Sequence, residues 1–228
     1  MNTLKKLEYY NLPQNYSPKK LPDIIKLVRA IQEDNALIFE REKKPFLFET
    51  GRLIIRSFYE EDANAVQILA VDKENSPMRE RDHTWPTDPE GCLEAVRWFA
   101  TQDTMWAVCL KPSMELIGMV TFNTVDENNM ADLGHVWRTG YQRDGLDTEA
   151  LSLMVQYAFE KLKVDGVFAY NPIDYEPQIY PLKEIGMEIT EKTTASFIKD
   201  EAGNPVEFQA GRLEITRKSW DGKIVNLK

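Results

Sequence analysis

The stretch that most restricts the fold is ADLGHVWRTGYQRDGLDTEALSLMVQYAFEKLKVDGVFAY, spanning Ala131 to Tyr170. Ala131–Thr139 reads as a strand. A helix follows to about Lys163, because Ala150, Leu151, Met154, Val155, Ala158, Phe159 and Leu162 recur on one face. Gly166–Tyr170 is again strand-like. Together they predict one strand–helix–strand crossover. The segments around it predict hairpins. Met105–Leu110 and Leu116–Val125 are apolar runs separated by the turn KPSME, and DENNM separates the second from Ala131. EITEKTTASFIK and VEFQAGRLEITRKSW flank the turn DEAGNP.

Helices complete the pattern. A strand at Leu53–Ser57 leads into an acidic helix start at Glu60–Asp62, with Ala63, Val66, Ile68 and Leu69 as its apolar side. Cys92, Leu93, Val96, Phe99 and Ala100 predict a second helix over about Pro89–Ala100, and YPLKEIGM a short one ending at Gly186. The order βααβββ-αβ-αββ describes an α+β layered domain with one mixed sheet. Residues 1–48 read as a mostly helical extension to a domain of 49–228, with Ile24, Ile25, Val28 and Ile31 at helical spacing.

Composition narrows the function classes. The net charge is −9, and residues 1–50 hold nine Lys/Arg against seven Asp/Glu, so the negative charge lies in the domain. That argues against general nucleic-acid binding. No run of about 18 apolar residues suggests a membrane span, and the N-terminus lacks the apolar core of a secretory signal, so a cytoplasmic protein is expected. Cys92 and Cys109 form no C-x-x-C pair and only His83 and His135 are present, which argues against a metal site; both cysteines read as small buried hydrophobes. Neither a P-loop nor a dinucleotide G-x-G-x-x-G fingerprint occurs.

The segment GYQRDGLDTEAL, Gly140–Leu151, has the character of an anion-binding helix start. Free N–H groups and the helix dipole favour phosphate there, Gly145 admits close approach, and Arg143 adds a charge. An ordinary capped helix start, with Asp as the cap, fits the same residues. Its neighbours carry a wider pattern. ETGRLIIRSFYEEDA, ELIGMVTF, ADLGHVWRTGYQRDGLDTEAL and GRLEITRKSW resemble, in register, segments of the GNAT superfamily of acyl-CoA-dependent N-acyltransferases, in particular its RimJ/RimL-like branch. The third resembles the family's AEIGYWL-x-P-x-x-x-GKGYATEAL stretch. The match covers roughly Glu49 to Trp220.

The resemblance implies a GNAT fold with a central, mostly antiparallel mixed sheet flanked by helices. It implies that Gln142, Arg143, Asp144, Gly145, Leu146, Asp147 and Thr148 hold the pyrophosphate of acetyl-CoA through main-chain amides. Main-chain groups of Val136, Trp137 and Arg138 are implied to hold the pantetheine arm, in a V-shaped slot where their strand splays from Gly166–Tyr170. Tyr175 falls at a family Asn position and Gln178 at a Ser/Ala position. The activity implied is acetyl transfer to a primary amine, a protein N-terminus or a small molecule, by direct attack in a ternary complex, as monomer or homodimer.

Candidate catalytic groups are Asp132, at the position of a strand glutamate in that branch, His135, with a pKa suited to a base, and Tyr180, a replacement for the thiol-protonating tyrosine. Alternation places Asp132 and His135 on opposite sheet faces. Two departures point to the alternative, a catalytically inactive binding or assembly module. Asp147 stands where the family has Gly or Ala; at about 4 Å and an effective dielectric near 20 a carboxylate repels a phosphate charge by about 4 kcal/mol, unless it turns outward. Pro181 falls inside the helix after Gly166–Tyr170, so that helix is expected to be short or shifted.

Overall fold

A computed structural model describes residues 46–142 and 144–220; the expected N-terminal helix and Arg143 lie outside the described residues. The elements are β1 (Phe46–Glu49), β2 (Leu53–Arg56), α1 (Ala63–Glu74), α2 (Pro89–Phe99), β3 (Met105–Leu110), β4 (Glu115–Val125), β5 (Met130–Trp137), α3 (Leu146–Tyr157), β6 (Gly166–Pro172), α4 (Glu176–Glu184), β7 (Glu188–Ala195) and β8 (Phe208–Thr216). They form one eight-stranded sheet of order β1-β2-β3-β4-β5-β6-β8-β7. Every pairing is antiparallel except β5 with β6, the pair joined by the α3 crossover.

Period-2 alternation sets the two faces of the sheet. Along β5, Ala131, Leu133, His135 and Trp137 are buried and the residues between them half-buried. Leu133, Val120 and Val167 pack into a core with Leu151, Met154 and Val155 of α3 and Leu182 of α4. Thr121 and Gly134, the alternate residues, face a cavity bordered by Val66 and Ala70 of α1 and Cys92 and Phe99 of α2. Helices therefore cover both faces, but the α1/α2 side leaves a hollow.

The turn from β2 into α1 is held by a buried ion pair. Arg56 Nη1 and Nη2 donate to Asp62 Oδ2 and Oδ1 at 2.7 and 2.8 Å, and Tyr59 N–H donates to Asp62 Oδ2 at 2.9 Å. Both residues are buried. The acidic helix start seen in the sequence thus points its last carboxylate inward to meet Arg56.

Three elements differ from the expectation. β1 adds an edge strand that no alternation announced in so short a segment. The α3 helix ends in one π-helical turn, Ala158–Leu162. β7 stops at Ala195 rather than running to Lys199, so the turn at 200–203, with Gly203 at φ +85°, sits on a longer connection closed by a bridge of Lys199 to Pro205. Pro181 lies inside α4 without interrupting it; the helix is nine residues long, short as expected.

Removing one member of a buried fork strands the other. Asp62→Ala is expected to lower unfolding stability by about 3–5 kcal/mol in urea titrations, and the double change Arg56→Met with Asp62→Leu to recover most of that loss.

Candidate active site

The slot expected beside β5 is present. Parallel pairing between β5 and β6 runs over Met130↔Gly166, Ala131↔Val167 and Asp132↔Phe168 and then stops. Beyond that point β5 pairs only with β4, and β6 only with β8. A cavity of about 590 Å³ reaches into the gap, where Gly134–Val136 face Tyr170–Pro172. Gln178 of α4 spans it: its Nε2 donates to the His135 carbonyl at 3.2 Å and to Asn171 Oδ1 at 3.1 Å. A side-chain amide thus serves a strand carbonyl that the parted neighbour cannot reach.

The loop before α3 is built by a residue on the other side of the sheet order. Arg52, just before β2, donates through Nη1 to the Asp144 carbonyl at 3.3 Å and through Nη2 to the Gly145 carbonyl at 3.1 Å. Its Nε donates to Glu149 Oε2 at 2.7 Å, and Thr50 Oγ1 donates to Glu149 Oε1. In a trans peptide the carbonyl and the following N–H point in opposite directions. With both carbonyls turned to Arg52, the amides of Gly145 and Leu146 turn to the opposite side together. Gly145 makes this possible at φ +73°, a left-handed conformation that a Cβ resists. The first intrahelical bond closes only at Glu149 N–H to the Gly145 carbonyl, so the amides before it precede the helical ladder. Such a nest of amides suits an anion.

Asp147 does not turn outward to solvent. It is fully buried in the first turn of α3, and its Oδ1 accepts from Thr148 N–H at 2.8 Å, so it occupies one of the amides that the resemblance implied for pyrophosphate. It sits at the positive end of the helix dipole, where a carboxylate is favoured. Asp144 is exposed, Leu146 enters the core, and Gln142 is half-buried. Sequence reasoning missed Arg52 and Thr50. The signal was the juxtaposition of TGR before one strand with TEA after the glycine turn, which no local rule connects.

The candidate catalytic residues separate. Asp132 and His135 both line the cavity but lie on opposite sheet faces, as alternation requires. Asp132 accepts from Asn123 Nδ2 at 3.2 Å, and burial raises its pKa above the ordinary carboxylate range, while Asn123 and Arg212 act to lower it. Gly134 lets Asn123 come close; a methyl there would lie 2.7 Å from Thr121 Cγ2 and 3.2 Å from Asn123 Nδ2.

His135 is fully enclosed, and burial pushes its pKa down to about 4, so the ring is neutral. Trp137 Nε1 donates to His135 Nδ1 at 2.9 Å. Tryptophan can only donate, so Nδ1 carries the lone pair and the ring hydrogen sits on Nε2. Nε2 has no partner among the described residues. His135 is therefore an enclosed neutral donor rather than the base its usual pKa suggested. Tyr175, the N-cap of α4, and the half-buried Tyr180 do not line the cavity; α4 brings Gln178 there instead.

Val136 lines the cavity, the Trp137 side chain is core, and Arg138 N–H is bonded to the Ile117 carbonyl at 2.9 Å. Across the cavity, the loop 81–86 is held by Lys73. Its buried ammonium donates to the His83 carbonyl at 2.6 Å and to Glu74 at 2.9 Å, lies 3.4 Å from Asp82, and sits 5.3 Å from the Trp85 ring centroid. Both cysteines are buried thiols; burial pushes Cys109 up to about 11. Among the described residues no group of three or more His, Cys, Asp or Glu is placed to hold a metal ion, and no helix is long and apolar enough to cross a membrane.

Two substitutions test the loop. Gly145→Ala is expected to lower stability by about 1–2 kcal/mol, the cost of a left-handed residue with a Cβ. Glu149→Gln, which weakens charged hydrogen bonds to Arg52, is expected to lower it by about 1.5–3 kcal/mol. Thermal unfolding of the two variants beside the parent measures both.

The Acetyltransferase (GNAT) domain family matches residues 52–187, more than half of the chain. Among solved structures, an acetyltransferase of the GNAT family from Bacillus anthracis superposes with a TM-score of 0.62 at 20% identity, covering 75% of this chain and 98% of that one. The ribosomal-protein-S5-alanine acetyltransferase of Vibrio fischeri gives 0.63 at 14% identity, with 76% and 98% covered. The microcin C7 self immunity acetyltransferase MccE, solved with acetyl-CoA and AMP, gives 0.57 at 13% identity, with 73% and 93% covered. Comparison with curated proteins found no significant match. The family match, the mixed sheet with its single parallel pair and the glycine loop before α3 agree, and the chain belongs to the GNAT acetyltransferase family.

Proposed function

We propose that the chain transfers an acetyl group from acetyl-CoA to a primary amine, by direct attack in a ternary complex, with residues 49–228 as the catalytic domain and 1–48 as an extension. The observation that carries this reading is the meeting of two spaces at Asp132: the slot between β5 and β6, and the cavity under α1 and α2. An acyl donor and an acceptor can approach each other there from opposite sheet faces. The Vibrio fischeri neighbour is a ribosomal-protein acetyltransferase and MccE was solved with acetyl-CoA, which supports the same chemistry.

The residues fit the donor. The amides of Gly145 and Leu146 would hold its pyrophosphate, and main-chain groups of β5 at 135–137 its pantetheine arm. Bound acetyl-CoA would supply the acyl carbon, to which the amine nitrogen bonds as the carbon–sulfur bond breaks, the second proton of the nitrogen passing to the departing sulfur as free thiol. Asp132 accepts a proton from the bound ammonium, which frees the nitrogen lone pair; its raised pKa brings it closer to the amine. His135 stays neutral and enclosed in the wall of the slot, and takes no proton. The inactive alternative has no support: Asp147, its main ground, is turned inward, and α4 still reaches the slot through Gln178.

Calorimetry with acetyl-CoA and thiol release with an amine panel test this reading; no binding at millimolar acetyl-CoA would overturn it. The pH profile adds a sign. Asp132 works as a base only when ionised, and its pKa is raised, so kcat/KM rises with pH through a value above the usual carboxylate range. Asn123 and the Arg212 cation are the groups acting on it. Asp132→Asn is expected to lower kcat by about 10²–10⁴-fold and to abolish that limb of the profile.

A further inference from the structure

We infer that the acceptor is a small primary amine carrying a single positive charge on an aromatic or otherwise apolar body, such as an arylalkylamine, rather than a polyamine, an aminoglycoside or a peptide N-terminus. This rests on the acetyltransferase reading above and narrows it.

The first ground is charge. Of the charged side chains on the cavity wall, Arg81 is paired with Asp174 at 3.1 Å and Asp82 with Lys73 at 3.4 Å. Asp132 has only the neutral Asn123 amide as a hydrogen-bond partner among the described residues. Arg212, whose charge acts on Asp132, is committed elsewhere: it pairs with Glu214 and with Asp126 at 3.6 Å, and its guanidinium stacks 3.8 Å from the Phe168 ring centroid. Among the described residues the cavity wall thus presents one uncommitted anion. A second ammonium of a polyamine or aminoglycoside has no carboxylate to meet and loses its hydration on entering.

The second ground is an orphaned acceptor. Thr121 Oγ1 is buried, lines the cavity and has no partner among the described residues. Thr121 pairs with Gly134 across β4 and β5, and Asp132 is two residues along β5 on the same face. Buried hydroxyls are rarely left unpaired without a reason. A –NH₃⁺ group has three donors, and Asp132 and Thr121 are acceptors on the same sheet face, two residues apart in register, in the wall of one cavity.

The third ground is the remainder of the wall. Phe197, on the connection after β7, lies between His83 and Phe208, with ring centroids 4.3 and 5.7 Å away. Phe197 lines the cavity and is 45% exposed, so an apolar body seated there would cover it. Opposite stand Phe99, Val66 and Ala70. A volume of about 590 Å³ has the scale of a small-molecule site, and it also takes the acetyl end of the donor. A peptide would bring several backbone N–H and C=O groups against aromatic and aliphatic wall.

The test separates this inference from the activity it rests on. Binding of phenethylamine and of 2-phenylethanol to the full chain is measured by calorimetry without acetyl-CoA. Phenethylamine is expected to bind at least tenfold more tightly, and the difference to fall severalfold in Asp132→Asn and in Thr121→Val; equal affinities for the two compounds would overturn the inference. In thiol-release assays, kcat/KM for phenethylamine is expected to exceed that for spermidine and for an alanine-initiated tripeptide by tenfold or more. Acetyl-CoA turnover that favours spermidine or the tripeptide overturns the inference and leaves the acetyltransferase reading intact. Phenethylamine binding without acetyl-CoA binding does the reverse. Ala195→Asp, at the cavity rim on β7, adds a second anion and is expected to shift the ratio toward spermidine; an unchanged ratio counts against the charge argument.

Discussion

The parting of β5 from β6 is the constraint on which the rest of the site depends. Two parallel strands paired along their full length would satisfy each other's main-chain groups and leave no room for a ligand. Here pairing ends at Asp132↔Phe168 because each strand follows a different neighbour: β5 stays with β4, and β6 continues along β8. Main-chain groups of β5 beyond that point need new partners. Gln178 supplies one by bridging to the His135 carbonyl, and the cavity occupies the remainder. Function enters where the ladder of hydrogen bonds is left incomplete.

The anion loop shows the complementary device, a backbone held open rather than left open. Arg52 takes the two carbonyls of the glycine turn and thereby aims the amides the other way, while Glu149 and Thr50 hold Arg52 in place. A cation on the carbonyl side and a helix dipole on the amide side act in the same sense. This gives Asp147 an intelligible place. It is buried in the first turn of the helix, where it accepts from the Thr148 amide.

On the other side of the cavity, Lys73 does for loop 81–86 what Arg52 does for the glycine turn. A buried ammonium is costly unless it is fully engaged. Lys73 is engaged by a carbonyl, two carboxylates and an aromatic face, and those partners set the position of His83 and Trp85 on the cavity wall. In both places a charged side chain withdrawn from the site gives shape to backbone and aromatic groups that border it.

Periodicity alone determined much of this protein. The apolar runs of β3 and β4, the strand pattern of β5, the 3.6-residue face of α3 and the turn residues between them specify a mixed sheet with one crossover, because strand pattern and helix repeat act locally. The glycine turn was legible for the same reason, and so was the separation of Asp132 and His135 onto opposite faces. Tertiary structure alone decided the charge state and hydrogen placement of His135, since Trp137 and Gln178 act on it through packing. It also decided the inward turn of Asp147, the grip of Arg52 on residues more than ninety positions away, and the choice of Gln178 over Tyr180 to enter the slot. Some of these contacts join near neighbours in sequence, as Trp137 with His135, and others join distant residues, as Arg52 with Glu149, but all depend on burial, which has no value until the chain has closed around it.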